Sequence, residues 1–90
     1  MAKLNRTDVS IMLALDNLKA DSVAYGLTIT ELMEYLAEQG IPKSRMTVYR
    51  RLKGLVTLEY TKKGFSDNHA DTFYIAEKGK ALIHKRKEKQ

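Results

Sequence analysis

The 90-residue chain contains no cysteine and no tryptophan, and it has two histidines and a single proline. Without cysteine it can form neither a disulfide nor a thiolate metal site, which is typical of proteins in a reducing cytoplasm. No apolar run approaches the roughly 20 residues that cross a bilayer. The first ten residues, MAKLNRTDVS, lack the continuous apolar core of a signal peptide. We therefore expect a cytoplasmic protein with no membrane partner.

The sequence offers little for catalysis. It has no nucleophile motif and no glycine-rich phosphate loop. His69 lies between Asp67 and Asp71, a spacing that suggests a metal site, but three neighbouring loop residues seldom complete a coordination sphere. His84, in a lysine-rich segment, is better explained as a conditional positive charge. We expect a protein that is not an enzyme and has no metal, cofactor or small-molecule ligand.

Positive charge is concentrated in the second half of the chain. The net charge is +5, yet residues 41–63 hold seven lysines and arginines against one acid, Glu59. Residues 1–42 hold three basic residues against six acidic ones. A surface that binds a polyanion must therefore be built mainly from the second half.

The basic segment also has helical periodicity. Val48, Leu52 and Leu55 recur at the spacing of one helix face and form an apolar stripe. On the other side project Lys43, Met46, Thr47 and Arg50. A helix that is buried along one side and cationic along the other fits the major groove of DNA, so we interpret it as a recognition helix.

A first helix is predicted to begin at Thr7 or Asp8, either of which can accept from exposed amides, and to run to about Ala20. Its predicted inward stripe consists of Ile11, Ala14, Leu15 and Leu18. Val9 and Leu13 lie on nearly the opposite side. A helix that is apolar on two sides lies between two layers or meets another subunit. We predict a dimer contact at Val9 and Leu13, with cover by the N-terminal arm or the final helix as the alternative.

A second helix follows a loop at residues 21–26. Thr28 and Glu31 have the spacing of a capping box, in which each side chain satisfies the other residue's backbone amide. The predicted inward stripe is Ile29, Leu32 and Leu36. Gly40 is expected to end the helix in a left-handed conformation, and Pro42 prevents the helix from continuing. The spacing to the basic helix is that of a helix-turn-helix.

The last third of the chain predicts a β-hairpin and a helix. Residues 58–62 alternate with period two and residues 72–76 form a second β-rich run, joined by a polar tip at residues 64–71. A tip flanked by Lys62 and Lys63 is suited to reach a phosphate or the minor groove. A final helix is predicted from Glu77, ending in a basic tail at residues 84–90. We expect one domain over residues 1–90.

Three motifs resemble the winged helix-turn-helix regulators of the PadR and MarR type. LTITEL resembles the opening of their second helix, TVYRRLKGL their recognition helix, and FYIAEKGKALI the segment that closes the wing and opens the last helix. The recognition helix is also similar to that of bacterial replication terminator protein. The resemblance implies an α+β fold: a winged helix-turn-helix with a three-helix core, a β-hairpin wing and a short C-terminal helix.

The sequence departs from that family at the end of the recognition helix. The family pattern has a glycine there, and this chain has Leu58 or Glu59. The usual threonine before the final helix is replaced by Ala76. We therefore expect a different connection from the helix to the wing.

Side-chain type divides the expected DNA contacts. Residues in the first turns and on the exposed side of the recognition helix are predicted to reach base edges: Lys43, Ser44, Arg45, Thr47 and Arg50. Predicted phosphate contacts are Thr28, Arg51, Lys53, Lys62 and Lys63. Tyr49 and Tyr60 could stack on bases, although aromatic residues at such positions more often belong to the core or its rim.

These observations favour sequence-specific binding of double-stranded DNA by a small homodimeric transcriptional regulator, most simply a repressor. One alternative is a partition centromere-binding protein or a replication-terminator-like protein of a plasmid, phage or chromosome. Another is a protein-interaction winged helix that does not bind DNA. For the first two we expect a nucleoid-associated protein encoded by a bacterium, phage or plasmid.

Overall fold

The structure is a computed structural model that describes residues 4–88, with side chains through Lys85. Within this range the elements follow one another as α1 (Arg6–Asn17), a 3-10 turn (Val23–Tyr25), β1 (Leu27–Thr28), α2 (Ile29–Glu38), α3 (Arg45–Thr57), β2 (Thr61–Lys63), β3 (Thr72–Ile75) and α4 (Glu77–Glu88). The strands form an antiparallel sheet in the order β1-β3-β2. Part of the predicted basic tail, beyond Glu88, lies outside the described residues.

One hydrophobic core joins the helices to the sheet. The predicted stripe of α3 is buried as expected, and so are Leu32 and Leu36 of α2. The core is completed by Ile11, Met12, Ala14, Leu15, Ala20, Phe73, Ile75 and Ile83. Because α1, α2 and α3 all contact one another, α3 lies against two other helices, and its opposite side is exposed.

The ends of α1 differ from the prediction. Its N-cap is Asn5, not Thr7 or Asp8: the Asn5 side chain accepts from the Asp8 amide at 2.9 Å, and the Asp8 carboxylate accepts from the Asn5 amide at 2.9 Å. The helix ends at Asn17, so Leu18 lies beyond it and is 43% exposed. The prediction of Leu18 as a core residue was wrong, and Met12 takes a core position instead.

The second helix is built as its sequence predicts. The Thr28 hydroxyl accepts from the Glu31 amide at 3.1 Å, and Glu31 accepts from the Thr28 amide at 2.8 Å. After the helix, Gly40 has a φ of 80°, the left-handed conformation that glycine adopts at least cost. The connection to α3 then runs through residues 39–44.

The wing begins later than predicted. Strand β2 starts at Thr61, because residues 58–60 are used to close the end of α3. The eight residues between β2 and β3 form a tip closed by a two-residue turn, in which Asp67 and Ala70 exchange both backbone hydrogen bonds at 2.9 Å. Asn68 and His69 both have positive φ, as in a type I′ turn. The tip is therefore a tight hairpin end.

The last helix lies close to the chain that leaves α3. A Cβ added at Gly79 would collide with the Tyr60 carbonyl oxygen, so only glycine fits this position. The Ala76 amide donates to the same Tyr60 oxygen at 2.9 Å. Within residues 4–88, no helix is both long enough and apolar enough to cross a membrane.

Candidate nucleic-acid interface

The exposed side of α3 lies opposite its buried stripe. Met46, Arg50, Lys53 and Thr57 follow one another at helical spacing along this side, and all four are exposed. We call them the α3 face. The face combines two cations with one apolar and one hydroxyl side chain, and no acidic residue occurs in α3.

Ser44 and Thr47 hold the first turn of α3 together. Ser44 is the N-cap, and its hydroxyl oxygen accepts from the Thr47 amide at 3.2 Å. The same hydroxyl donates to the Thr47 side-chain oxygen at 3.0 Å. Both residues were predicted to reach base edges. The Ser44 hydroxyl is engaged as donor and as acceptor, whereas the Thr47 hydroxyl accepts from Ser44 and leaves its own hydrogen unused. Lys43, just before the cap, is exposed.

The two arginines predicted to read bases differ in their surroundings. An Arg45 Nη2 donates to the Thr30 hydroxyl on the first turn of α2 at 2.7 Å, which links the two helices of the helix-turn-helix. Arg50 is exposed, and no hydrogen bond or ion pair engages it within the described residues. Its five N–H donors are therefore available to a ligand.

Arg51 was predicted to bind a phosphate, but its guanidinium pairs with Asp8 of α1 instead. Its Nε and Nη2 donate to Oδ1 and Oδ2 of Asp8, both at 2.7 Å. The Asp8 side chain is completely buried, whereas that of Arg51 is 37% exposed. Hydrogen bonding to Asp8 raises the pKa of the Arg51 guanidinium. Arg51 therefore joins α3 to α1, and we remove it from the expected phosphate contacts.

The sequence carries a signal for this pair that our reasoning missed. Asp8 precedes Ile11 by three residues, so it lies on the core-facing stripe of α1. Arg51 lies three residues after Val48 and four before Leu55, so it borders the core-facing stripe of α3. A charge of each sign on a core-facing stripe predicts an ion pair between the two helices, because an unpaired buried charge is very costly.

The wing places its cations at the base and acids at the tip. Lys62 and Lys63 end β2 and are exposed, and Lys63 Nζ lies 3.4 Å from an Asp71 oxygen. Residues 64–71 include two aspartates and no lysine or arginine. Electrostatics therefore favours phosphate contact by the base of the wing. The tip, which we predicted to reach a phosphate or the minor groove, carries the same sign of charge as the phosphates.

The remaining predicted phosphate contacts, Thr28 and Lys53, are both near the surface. The oxygen of Thr28 serves the cap of α2, and the cap leaves its hydroxyl hydrogen unused. Lys53 Nζ lies 5.4 Å from the centre of the Tyr49 ring, and Lys78 Nζ lies 5.0 Å from that of Tyr60. Each tyrosine ring is therefore in a cation–π contact with a lysine of this chain.

Val9 and Leu13, predicted as a dimer contact, are each half-buried. Leu13 packs against the edge of the core and lines a groove between α1 and α2 together with Tyr35 and Ile41. Ile41 is 38% exposed at the same place. The groove is lined by these apolar side chains and also by the polar side chains of Ser10, Asn17 and Gln39.

The His69 spacing that suggested a metal site can be compared with the structure. Over residues 4–88, no three His, Asp or Glu side chains converge as metal ligands, and this includes the wing tip with Asp67, His69 and Asp71.

Comparison with known proteins identifies the fold. No family model and no curated protein matches the chain. Among solved structures, the DNA-binding TubR fragment from Clostridium botulinum has a TM-score of 0.71 and 24% identity over 93% of this chain and 98% of the fragment. A PadR family transcriptional regulator from Eggerthella lenta has a TM-score of 0.72 and 17% identity over 93% of this chain and 73% of the regulator.

A third similar structure is the ferric uptake regulator from Francisella tularensis with iron, at a TM-score of 0.67 and 18% identity. The match covers 84% of this chain, which spans only 55% of that regulator. These similarities and the element order show that the chain has the winged-helix fold. The predicted α+β winged helix-turn-helix is confirmed.

Proposed function

We propose that this protein binds double-stranded DNA sequence-specifically, as a homodimer, with α3 in the major groove and the base of the wing on the phosphates. The observation that carries the proposal is the α3 face, a cationic helix surface opposite a fully buried stripe. Similarity to proteins described as DNA-binding or as transcriptional regulators supports it. The role that we assign is repression by occupying an operator, which is binding and not catalysis.

The predicted contacts are revised in light of the structure. Arg50 and Lys43 are proposed to read base edges, with Arg45 held beside them by Thr30. Lys53, Lys62, Lys63 and the hydroxyl of Thr28 are proposed to contact phosphates. Ser44 and Arg51 are proposed to position α3, because their polar groups are engaged within the protein. Thr47, whose hydroxyl hydrogen is unused, is still proposed to reach base edges.

The proposal predicts that two basic residues have different effects. Arg50→Ala should flatten the preference for a selected duplex over random DNA, because a bidentate arginine–guanine pair contributes about 1–3 kcal/mol of discrimination. Lys63→Ala should weaken binding to both duplexes alike, because a phosphate contact carries no sequence information. Fluorescence anisotropy on both duplexes measures the two affinities.

A matched control is Lys19→Asn, which removes a positive charge outside α3 and the wing. Lys19 has a φ of 59°, a conformation that asparagine tolerates well. This variant should leave both affinities nearly unchanged. The assignment is refuted if Arg50→Ala and Lys63→Ala lose the same affinity for both duplexes. A wild-type protein that binds neither duplex would favour a protein-interaction role.

A further inference from the structure

Met46 is the apolar member of the α3 face. It lies in the first turn of α3 and is 57% exposed. It belongs neither to the core nor to the partly buried residues that pack against the core. Removing an apolar side chain from water is favourable, so a partner that covers Met46 would gain free energy of binding.

The neighbours of Met46 restrict what such a partner can be. Met46 and Arg50 are four residues apart and therefore adjacent on one side of the helix. Within the described residues Arg50 makes no hydrogen bond or ion pair. The pair thus offers an apolar group next to a free guanidinium. A matching ligand presents an apolar group beside a pair of hydrogen-bond acceptors.

The DNA major groove presents this combination. Thymine carries a C5-methyl group there, and guanine carries the O6 and N7 acceptors that pair with arginine. Tyr49 is a weaker candidate for the methyl contact, since Lys53 lies over its ring. The other exposed large apolar side chains lie outside α3, at Leu18, Val23, Tyr25, Ile41 and Phe65.

We propose that Met46 is a specificity-determining residue that contacts the C5-methyl group of a thymine in the base pair next to the guanine bound by Arg50. This inference rests on the proposed function. Met46 has a flexible, polarisable side chain, which can adapt to the position of a methyl group in the groove.

The test removes the methyl group from the DNA. The preferred duplex is first selected from a random library with the full chain, and each of its thymines is then replaced singly by deoxyuridine, which lacks only that methyl. Replacement of one thymine beside the guanine should weaken binding about three- to fivefold, the value expected for burying one methyl group. Met46→Ala should bind the thymine and uracil duplexes equally.

Two variants serve as controls. Met46→Leu keeps an apolar side chain and should keep the preference for thymine. Tyr49→Ala removes another exposed side chain of α3 and should also keep it. Circular dichroism verifies that each variant is folded, which is expected at an exposed position.

The inference is overturned if no thymine loses affinity on replacement, or if the loss persists in Met46→Ala. It also fails if the selected duplex has no thymine next to a guanine. Each of these outcomes leaves the proposed function standing, because the wild-type protein still binds a selected duplex. Absence of DNA binding by the wild-type protein overturns the proposed function itself.

Discussion

At the scale of single residues, the Asp8–Arg51 pair links two helices through two hydrogen bonds of 2.7 Å. The buried carboxylate accepts from both Arg51 nitrogens and from the Asn5 amide, so three donors compensate its removal from water. The pair joins the start of α1 to the middle of α3. It therefore restricts the orientation of α3 relative to α1.

Removing the charge of Asp8 should destabilise the fold. In Asp8→Asn the Arg51 guanidinium loses its counter-charge, and one buried donor pairing is lost. We expect the free energy of unfolding to fall by about 2 kcal/mol, less than for a fully buried pair because the Arg51 side chain is more than one-third exposed. Urea unfolding followed by circular dichroism measures the change.

The exposed Lys63–Asp71 pair provides the comparison. Both side chains are more than half exposed, so Asp71→Asn should change the free energy of unfolding by no more than about 0.5 kcal/mol. If both variants lowered the free energy of unfolding by the same amount, burial of Asp8 would not strengthen its ion pair.

The sequence predicts which basic residues belong to α3 and to the wing, but not the partner of each. Arg50 and Arg51 are adjacent arginines in a basic helix, and composition alone does not separate them. Only the position of Arg51 on the core-facing stripe, together with Asp8 on α1, distinguishes it. Long-range pairing of this kind is set by how the two helices pack against each other.

At the scale of elements, α1, α2 and α3 end in the same way. The second residue after each helix has a positive φ: Lys19, Gly40 and Glu59. In each case the amide of the following residue donates to the carbonyl oxygen five residues before it, at 2.8–2.9 Å. This is the Schellman motif. In two of the three helices a residue other than glycine bears the cost of the left-handed conformation.

Glu59→Gly should therefore stabilise the protein. Glu59 has a φ of 64°, which costs a residue with a side chain about 1–2 kcal/mol. Glycine avoids that cost, though it loses about 0.5–1 kcal/mol through the flexibility of the unfolded chain. We expect a net gain of about 0.5–1 kcal/mol, read from the midpoint of urea unfolding.

Glu38→Gly is the matched control, because Glu38 is the last residue of α2 and is helical. That substitution should lower stability by up to about 1 kcal/mol. A loss of stability in Glu59→Gly as well would contradict the assignment of strain to Glu59.

Elements with local signals were predicted well. The capping box of α2, the stop at Gly40 and the buried stripe of α3 each follow from residues close in sequence. The predicted start of β2, at residue 58, was wrong. Glu59 adopts the left-handed conformation after α3, and a glutamate does not indicate such a turn as a glycine would. The tight turn at the wing tip was likewise hidden, since Asn68–His69 lacks the glycine usual in type I′ turns.

At the scale of the whole molecule, charge is divided between surfaces. The α3 face and the base of the wing are cationic, whereas Glu34 and Glu38 of α2 and the wing tip are acidic and exposed. Such a division restricts a polyanion to one region of a small domain. One recognition helix reads few base pairs, so specific binding favours two copies related by two-fold symmetry.

We predict a homodimer in solution, formed through the groove between α1 and α2. Ile41→Lys, at a 38% exposed side chain that lines the groove, should shift the protein toward monomer in sedimentation velocity, because it places a charge among the apolar side chains of the groove. Tyr25→Ser, which removes a side chain that is 70% exposed elsewhere, should leave the dimer intact. A wild-type monomer both with and without DNA would contradict the prediction.

The central claim is that this winged helix binds DNA through a cationic surface, and the salt dependence of binding tests it most directly. With Lys53, Lys62 and Lys63 on phosphates in each of two subunits, the logarithm of the association constant should fall with the logarithm of salt concentration with a slope of about −5. Lys62→Ala should make that slope shallower by about 2, one contact per subunit. Binding that is absent at low salt, or that is insensitive to salt, would contradict the account.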